Sequence, residues 1–127
     1  MKIQYYGTAA YEGIPSLFCQ CDTCRTAQKR GGKNIRTRAQ ALIDDQILLD
    51  FGPDTVAHHL RFSPDWNRIT HCLITHSHSD HFYPNDMEMS APGYAAGIQT
   101  KLHYIADRAA FDQISAVFAN NPARFAH

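Results

Sequence analysis

Thr75-His76-Ser77-His78-Ser79-Asp80-His81-Phe82 follows directly on the apolar run Cys72-Leu73-Ile74. Three imidazoles and one carboxylate fall where a β-strand ends and a loop begins. Imidazole nitrogens and carboxylate oxygens are the donors that Zn²⁺, Mn²⁺ or Fe²⁺ accept, and a metal site needs several of them on a short rigid segment. An extended chain through residues 76 to 78 points His76 and His78 the same way, so that both can hold one ion. Asp80 and His81 come a turn later and can face a neighbouring position. A pair of ions a few Å apart activates water and clamps the oxygens of a displaced group, which suits hydrolysis of phosphoryl or acyl compounds. The bland alternative is a polar, histidine-rich loop without a ligand. Four donors packed behind one strand favour ligation.

His76-Ser77-His78-Ser79-Asp80-His81 resembles the HxHxDH motif of the metallo-β-lactamase superfamily, and Thr75 before it fits the same pattern. The resemblance implies an α/β fold, half of a four-layer αβ/βα sandwich in which a mixed sheet carries outer helices. It implies that His76 and His78 bind a first metal and that Asp80 and His81 bind a second. Asp80 would also orient the attacking hydroxide or accept its proton. Asp50, which ends the strand-like run Ile47-Leu48-Leu49, has to be solvated, paired or placed by a metal site. By the family pattern it orients the metal-binding loop, so Asp80 and Asp50 are the candidate catalytic residues.

Cys19, Cys21 and Cys24 form a second constellation, while Cys72 stands alone in an apolar run and reads as a small core residue. A tight turn can aim three thiolates at one ion, although a structural zinc takes four ligands and no fourth lies nearby. Free reduced thiols are the alternative. The Cys-rich knuckle at 19–24 resembles the structural-zinc insertion of the superfamily's cyclic-phosphate phosphodiesterases and of related pyrroloquinoline-quinone biosynthesis proteins. There the fourth ligand is a histidine far toward the C-terminus, with no match in this chain, so the resemblance implies an incomplete structural site.

The 127 residues suffice for one core, and twelve Lys and Arg balance twelve Asp and Glu. No bulk positive field draws the chain to nucleic acid or an anionic membrane. No apolar stretch approaches the roughly 20 residues of a membrane span, so a cytoplasmic protein is the expectation. Lys29, Arg30, Lys33, Arg36 and Arg38 form a local basic run that reads as a solvated face.

Strands are expected over Lys2 to Tyr6, Ala39 to Ile43, Ile47 to Leu49, a central Ile69 to Thr75, and Lys101 to Ile105. The Gly7-Thr8-Ala9-Ala10 segment should turn sharply, and Asp44-Asp45-Gln46 should close a hairpin. Helices are expected after Asp22 or Thr23 as far as Lys29 or Arg30, from Thr55 to Leu60 under an Asp54 cap, briefly after the motif from about Asp80, and from Arg108 to Phe118. Asp107 should cap the last, with Ala110, Phe111, Ile114 and Phe118 on its apolar side. Of the adjacent His58 and His59, one is expected near the cleft and the other in solvent. Trp66 reads as a packing anchor.

By the resemblance, residues 1–127 form the N-terminal half of a metallo-β-lactamase-like domain. The later metal-binding histidines and the bridging aspartate have no counterpart, and His127 is left unassigned. Either a C-terminal half or a second copy of the chain is expected to complete the fold. The implied activity is metal-dependent hydrolysis, of phosphodiesters by the look of the cysteine knuckle and of Asp50-Phe51-Gly52-Pro53-Asp54. Two divalent ions (Zn, Mn or Fe) would serve the active site, a structural Zn the knuckle, and a small phosphorylated molecule would be the substrate. The rival readings are a nuclease of the transfer-RNA-processing type, for which no basic track or RNA-binding arm is visible, and a non-catalytic metal-binding protein of cofactor biosynthesis.

Overall fold

A computed structural model of the chain describes residues 1–119; His127 lies outside the described residues. Its five strands are β1 (Ile3–Gly7), β2 (Gln40–Ile43), β3 (Ile47–Leu49), β4 (His71–Leu73) and β5 (His103–Ile105). They form one mixed sheet in chain order, antiparallel from β1 to β3 and parallel from β3 to β5. The hairpin between β2 and β3 turns through Asp44 and Asp45 at φ of 50° and 58°. Two successive left-handed residues match the twist of the strands they join.

Register explains which face is buried. Leu42, Leu48, Cys72 and Tyr104 are partners across β2 to β5. With Tyr6, Phe51, Ile69, Ile74, Phe82 and Met87 they face a core closed by Ala110, Ile114 and Phe118. The alternate residues point the other way. One such row runs Tyr5, Ala41, Leu49, Leu73, Ile105, and its ends are open, with Tyr5 65% and Ile105 53% exposed.

Three helices flank the sheet: α1 (Asp22–Arg30), α2 (Thr55–Phe62) and α3 (Arg108–Ala119). Gly31 ends α1 at φ 62°, its N–H bonded to the Ala27 carbonyl. Phe62 of α2 stacks on Tyr6 with ring centroids 4.7 Å apart. Asp107 caps α3 as expected, its Oδ1 accepting from the Ala110 N–H at 2.8 Å. No helix among the described residues is long and apolar enough to cross a membrane.

Several expectations are corrected. β3 is the middle strand and β4 lies beside it, because β5 continues the sheet on one side only. Cys21, not Asp22 or Thr23, occupies the cap position of α1 and makes no side-chain cap. Asp54 precedes α2 without capping it, since its carboxylate is engaged by Arg38. A 3₁₀ segment, Pro84–Ser90, replaces the short helix expected from Asp80. Phe111 is exposed, so the apolar stripe of α3 is Ala110, Ile114 and Phe118.

Candidate metal centre

β3 and β4 run parallel and end side by side, so the segments that leave them start from one edge of the sheet. In parallel sheets this carboxyl edge is where ligands bind. Asp50, the first residue after β3, adopts φ 65° and is buried. Its N–H bonds the Leu73 carbonyl at 2.8 Å, extending the ladder one step beyond the end of β3.

The carboxylate of Asp50 then takes hold of the motif. Oδ1 accepts from the Thr75 N–H at 2.7 Å and from the Thr75 hydroxyl at 2.8 Å. Oδ2 lies 2.6 Å from His81 Nδ1. A carboxylate pairing of this kind assigns the ring proton to Nδ1 and leaves the Nε2 lone pair free. Nε2 in turn sits 3.3 Å from Asp80 Oδ2. A tetrahedral ion with ligand bonds of about 2.0–2.1 Å holds its donors roughly 3.3 Å apart. A histidine that gives one N–H to a carboxylate and turns its other nitrogen outward is the usual arrangement of a metal ligand.

The loop doubles back to bring the other imidazoles in. The N–H groups of His81 and Phe82 both donate to the His78 carbonyl, at 3.0 and 2.9 Å. The His76 ring lies 4.6 Å from that of His78 and 4.2 Å from that of His81. Thus His76 is as near to His81 as to His78, and the three rings form one cluster rather than two separated pairs. His76 is half-buried, His78 exposed and Asp80 buried. Phe51 ties the loop down, its N–H donating to the His81 carbonyl at 3.0 Å and its carbonyl accepting from the Tyr83 N–H at 2.7 Å. The donor types suit a divalent cation and the His81–Asp80 pair has the spacing for one, while no three donor atoms of the loop lie within 4.8 Å of one another.

The thiols form a more compact set. The ligand atoms of Cys19, Cys21 and Cys24 all lie within 4.8 Å of one another, the one trio of His, Cys, Asp or Glu side chains among the described residues that does so. Cys19 and Cys21 sulfurs are 3.3 Å apart, and the Ser16 N–H points at the Cys24 sulfur from 3.3 Å. The backbone N–H of Cys24, then the Cys19 thiol, hold the Cys21 thiol below its ordinary pKa. The Ser16 N–H pulls Cys24 down, but Cys19, burial and Cys21 together leave it raised. All four cysteines are unbridged, and burial pushes the Cys72 thiol far up, as suits a core residue.

The remaining histidines play other parts. His58 is buried, with Nδ1 2.6 Å from Gln40 Oε1 and Nε2 2.7 Å from Thr37 Oγ1, so both nitrogens are taken. Burial lowers its pKa. His59 is exposed and accepts from Trp66 Nε1 at 3.1 Å, while Trp66 packs on the core. His71 is exposed, bonds the Thr70 hydroxyl and stacks on His103. Thr75 was missed from the sequence as the partner of Asp50; a hydroxyl directly after a buried strand was the available clue.

No protein-family profile and no curated protein matches the sequence. Several solved structures are similar to it, among them the following three. A diphosphatase of the PhnP family superposes with a TM-score of 0.66 at 24% identity, over 96% of this chain and 47% of that one. Zinc-bound PqqB from Methylobacterium extorquens gives 0.60 at 20% identity, over 82% of this chain and 46% of its own. The short form of human tRNase Z gives 0.56 at 21% identity, over 96% and 41%. The chain thus has the α/β fold of the metallo-β-lactamase superfamily and spans about half the length of the solved structures it matches.

Proposed function

We propose that the chain forms the N-terminal half of a metal-dependent hydrolase and supplies its ligand loop, with phosphodiesters as substrates. The observation that carries this reading is the grip of Asp50 on both Thr75 and His81 Nδ1, which turns His81 Nε2 toward Asp80. His76, His78, Asp80 and His81 would hold two divalent ions, Zn, Mn or Fe, and Cys19, Cys21 and Cys24 a structural Zn. A divalent ion in such a centre supplies a Lewis acid for a phosphoryl oxygen and lowers the pKa of bound water. Asp50 keeps the His81 ring in one tautomer and one orientation. Asp80, buried beside that ring, offers a carboxylate oxygen for a ligand or for a proton of the attacking water. The remaining ligands would come from a C-terminal half or from a second copy of the chain.

Phosphoryl compounds are preferred to other esters for two reasons. The cysteine knuckle resembles that of the superfamily's cyclic-phosphate phosphodiesterases, and two of the similar folds are named as a diphosphatase and a tRNase. Unbridged cysteines suit a reducing compartment, and the cytoplasm is the proposed location. The test is elemental analysis of the whole natural protein together with hydrolysis of a chromogenic phosphodiester. Bound metal and turnover are expected, with Asp50→Asn weakening metal binding by about 10–100-fold. Efficient cleavage of a thioester or a β-lactam with none of the phosphodiester would overturn the substrate class, and a metal-free, inert protein would overturn the whole reading.

A further inference from the structure

We propose that Gln40 is a positioning residue for the metal-binding loop, acting through the peptide of Asp50. The inference rests on the reading of the His76–His81 loop as a metal site. Gln40 lies on the same side of β2 as Leu42, where an apolar residue is expected, and is only 5% exposed. A buried amide is retained in such a place only if its hydrogen bonds are made. Its Nε2 donates to the Asp50 carbonyl at 3.0 Å and to Thr55 Oγ1 at 3.0 Å.

The direction of every proton in this network follows from one fixed point. The Asp50 carbonyl only accepts, so the amide nitrogen of Gln40 must face it and Oε1 must face His58. Oε1 then needs a donor, which places the proton of His58 on Nδ1, 2.6 Å away. His58 Nε2 is left to accept from the Thr37 hydroxyl at 2.7 Å. Thr55 passes its own proton to the Gly52 carbonyl at 2.7 Å. With a neutral His58 ring, which its burial favours, this arrangement satisfies all five groups.

What this holds is a left-handed, non-glycine residue, a conformation that persists only when the surroundings over-determine it. The other bonds of Asp50 run to Leu73, Thr75 and His81, which belong to β4 and to the loop itself. The bonds to Thr75 and His81 would move with the loop, and the bond to Leu73 holds only the N–H side of the residue. Gln40 ties Asp50 instead to β2, on the far side of β3, and so fixes the direction in which the carboxylate leaves the backbone.

The test uses the ¹⁵N-labelled whole natural protein with two variants, Gln40→Leu and the milder Gln40→Asn, whose amide is one methylene too short to span the gap. Ile69→Val, a core truncation before β4, is the control. Two quantities are read at His81: the exchange protection of its Nδ1–H, and the Zn²⁺ concentration at which its ring ¹⁵N shifts reach their midpoint. Both Gln40 variants are expected to lose the protected proton and to raise the midpoint about 10–100-fold, while the control changes neither. A protected proton and a midpoint within about twofold of the wild type in the Gln40 variants would overturn the proposal. Should Gln40→Leu not fold, Gln40→Asn alone decides. Should Zn²⁺ leave the wild-type His81 ring unshifted, the metal reading fails, and the Nδ1–H protection still judges Gln40.

Discussion

Asp54 stands directly before α2, where a helix cap is expected, yet its carboxylate grips Arg38. Oδ2 accepts from the Arg38 N–H at 2.8 Å and from Nε at 3.0 Å, and Oδ1 pairs with the guanidinium at 2.7 Å. The Arg38 side chain, against the opposing effect of burial, holds the Asp54 carboxyl below the usual carboxylate range. The folded pKa is depressed, so this stabilisation is complete above about pH 4, where aspartates of the unfolded chain are already ionised. It is lost as the pH falls through the lower folded value. Asp54→Asn is therefore expected to reduce the unfolding free energy at pH 7 by about 1–2 kcal/mol. The difference from wild type should shrink steadily below about pH 4, which urea denaturation across pH checks. A deficit that stayed constant to low pH would mean that the amide fails for a steric reason. At this scale the sequence is informative about donor types and silent about partners. Asp50 could be picked out as a carboxylate ending an apolar strand, whereas nothing near Asp54 in the chain announces Arg38, sixteen residues away.

Among the elements, the turn between β3 and α2 leaves no room for a side chain at Gly52. A Cβ on Gly52 would collide with the backbone carbonyl of Asp80, so the two loops touch main chain to main chain. Gly52→Ala cannot be accommodated by a side-chain rotation, since the obstacle is backbone. It is expected to cost about 1–3 kcal/mol, the range for overpacking. It should also displace Asp80 and His81 and weaken Zn²⁺ binding, as thermal unfolding and the His81 ring shifts would show. Loss of stability with unchanged metal binding would separate the loops and refute the coupling. Helix periodicity was legible in part for a similar geometric reason. Ala110, Ile114 and Phe118 recur every four residues and are buried, but Phe111 lies about 100° around the helix from Ala110 and falls outside the stripe. Four apolar residues in a sequence define a side, not its width.

For the molecule as a whole, the sheet is apolar on both faces and covered on one. The open face carries Ile3, Tyr5 and Ile105, each exposed, at the ends of rows that cross all five strands. Large exposed apolar patches bind partners or probes. The chain is expected to enhance the fluorescence of an apolar dye, and the double variant Tyr5→Lys, Ile105→Lys to reduce that enhancement severalfold without lowering helix content by circular dichroism. Unchanged dye binding would place the accessible apolar surface elsewhere.

The order of strands and helices, the hairpin at Asp44-Asp45, the Asp107 cap and the two sets of ligand-type side chains were all determined by the sequence itself. They depend on periodicity, turn chemistry and donor identity, which act over a few neighbouring residues. The middle position of β3, the meeting of Asp50 with Thr75 and His81, and the Gln40 tether were decided by the tertiary structure alone. Each depends on which strands pair and in what register, and partners 10 to 31 residues apart are brought together only when that pairing is made.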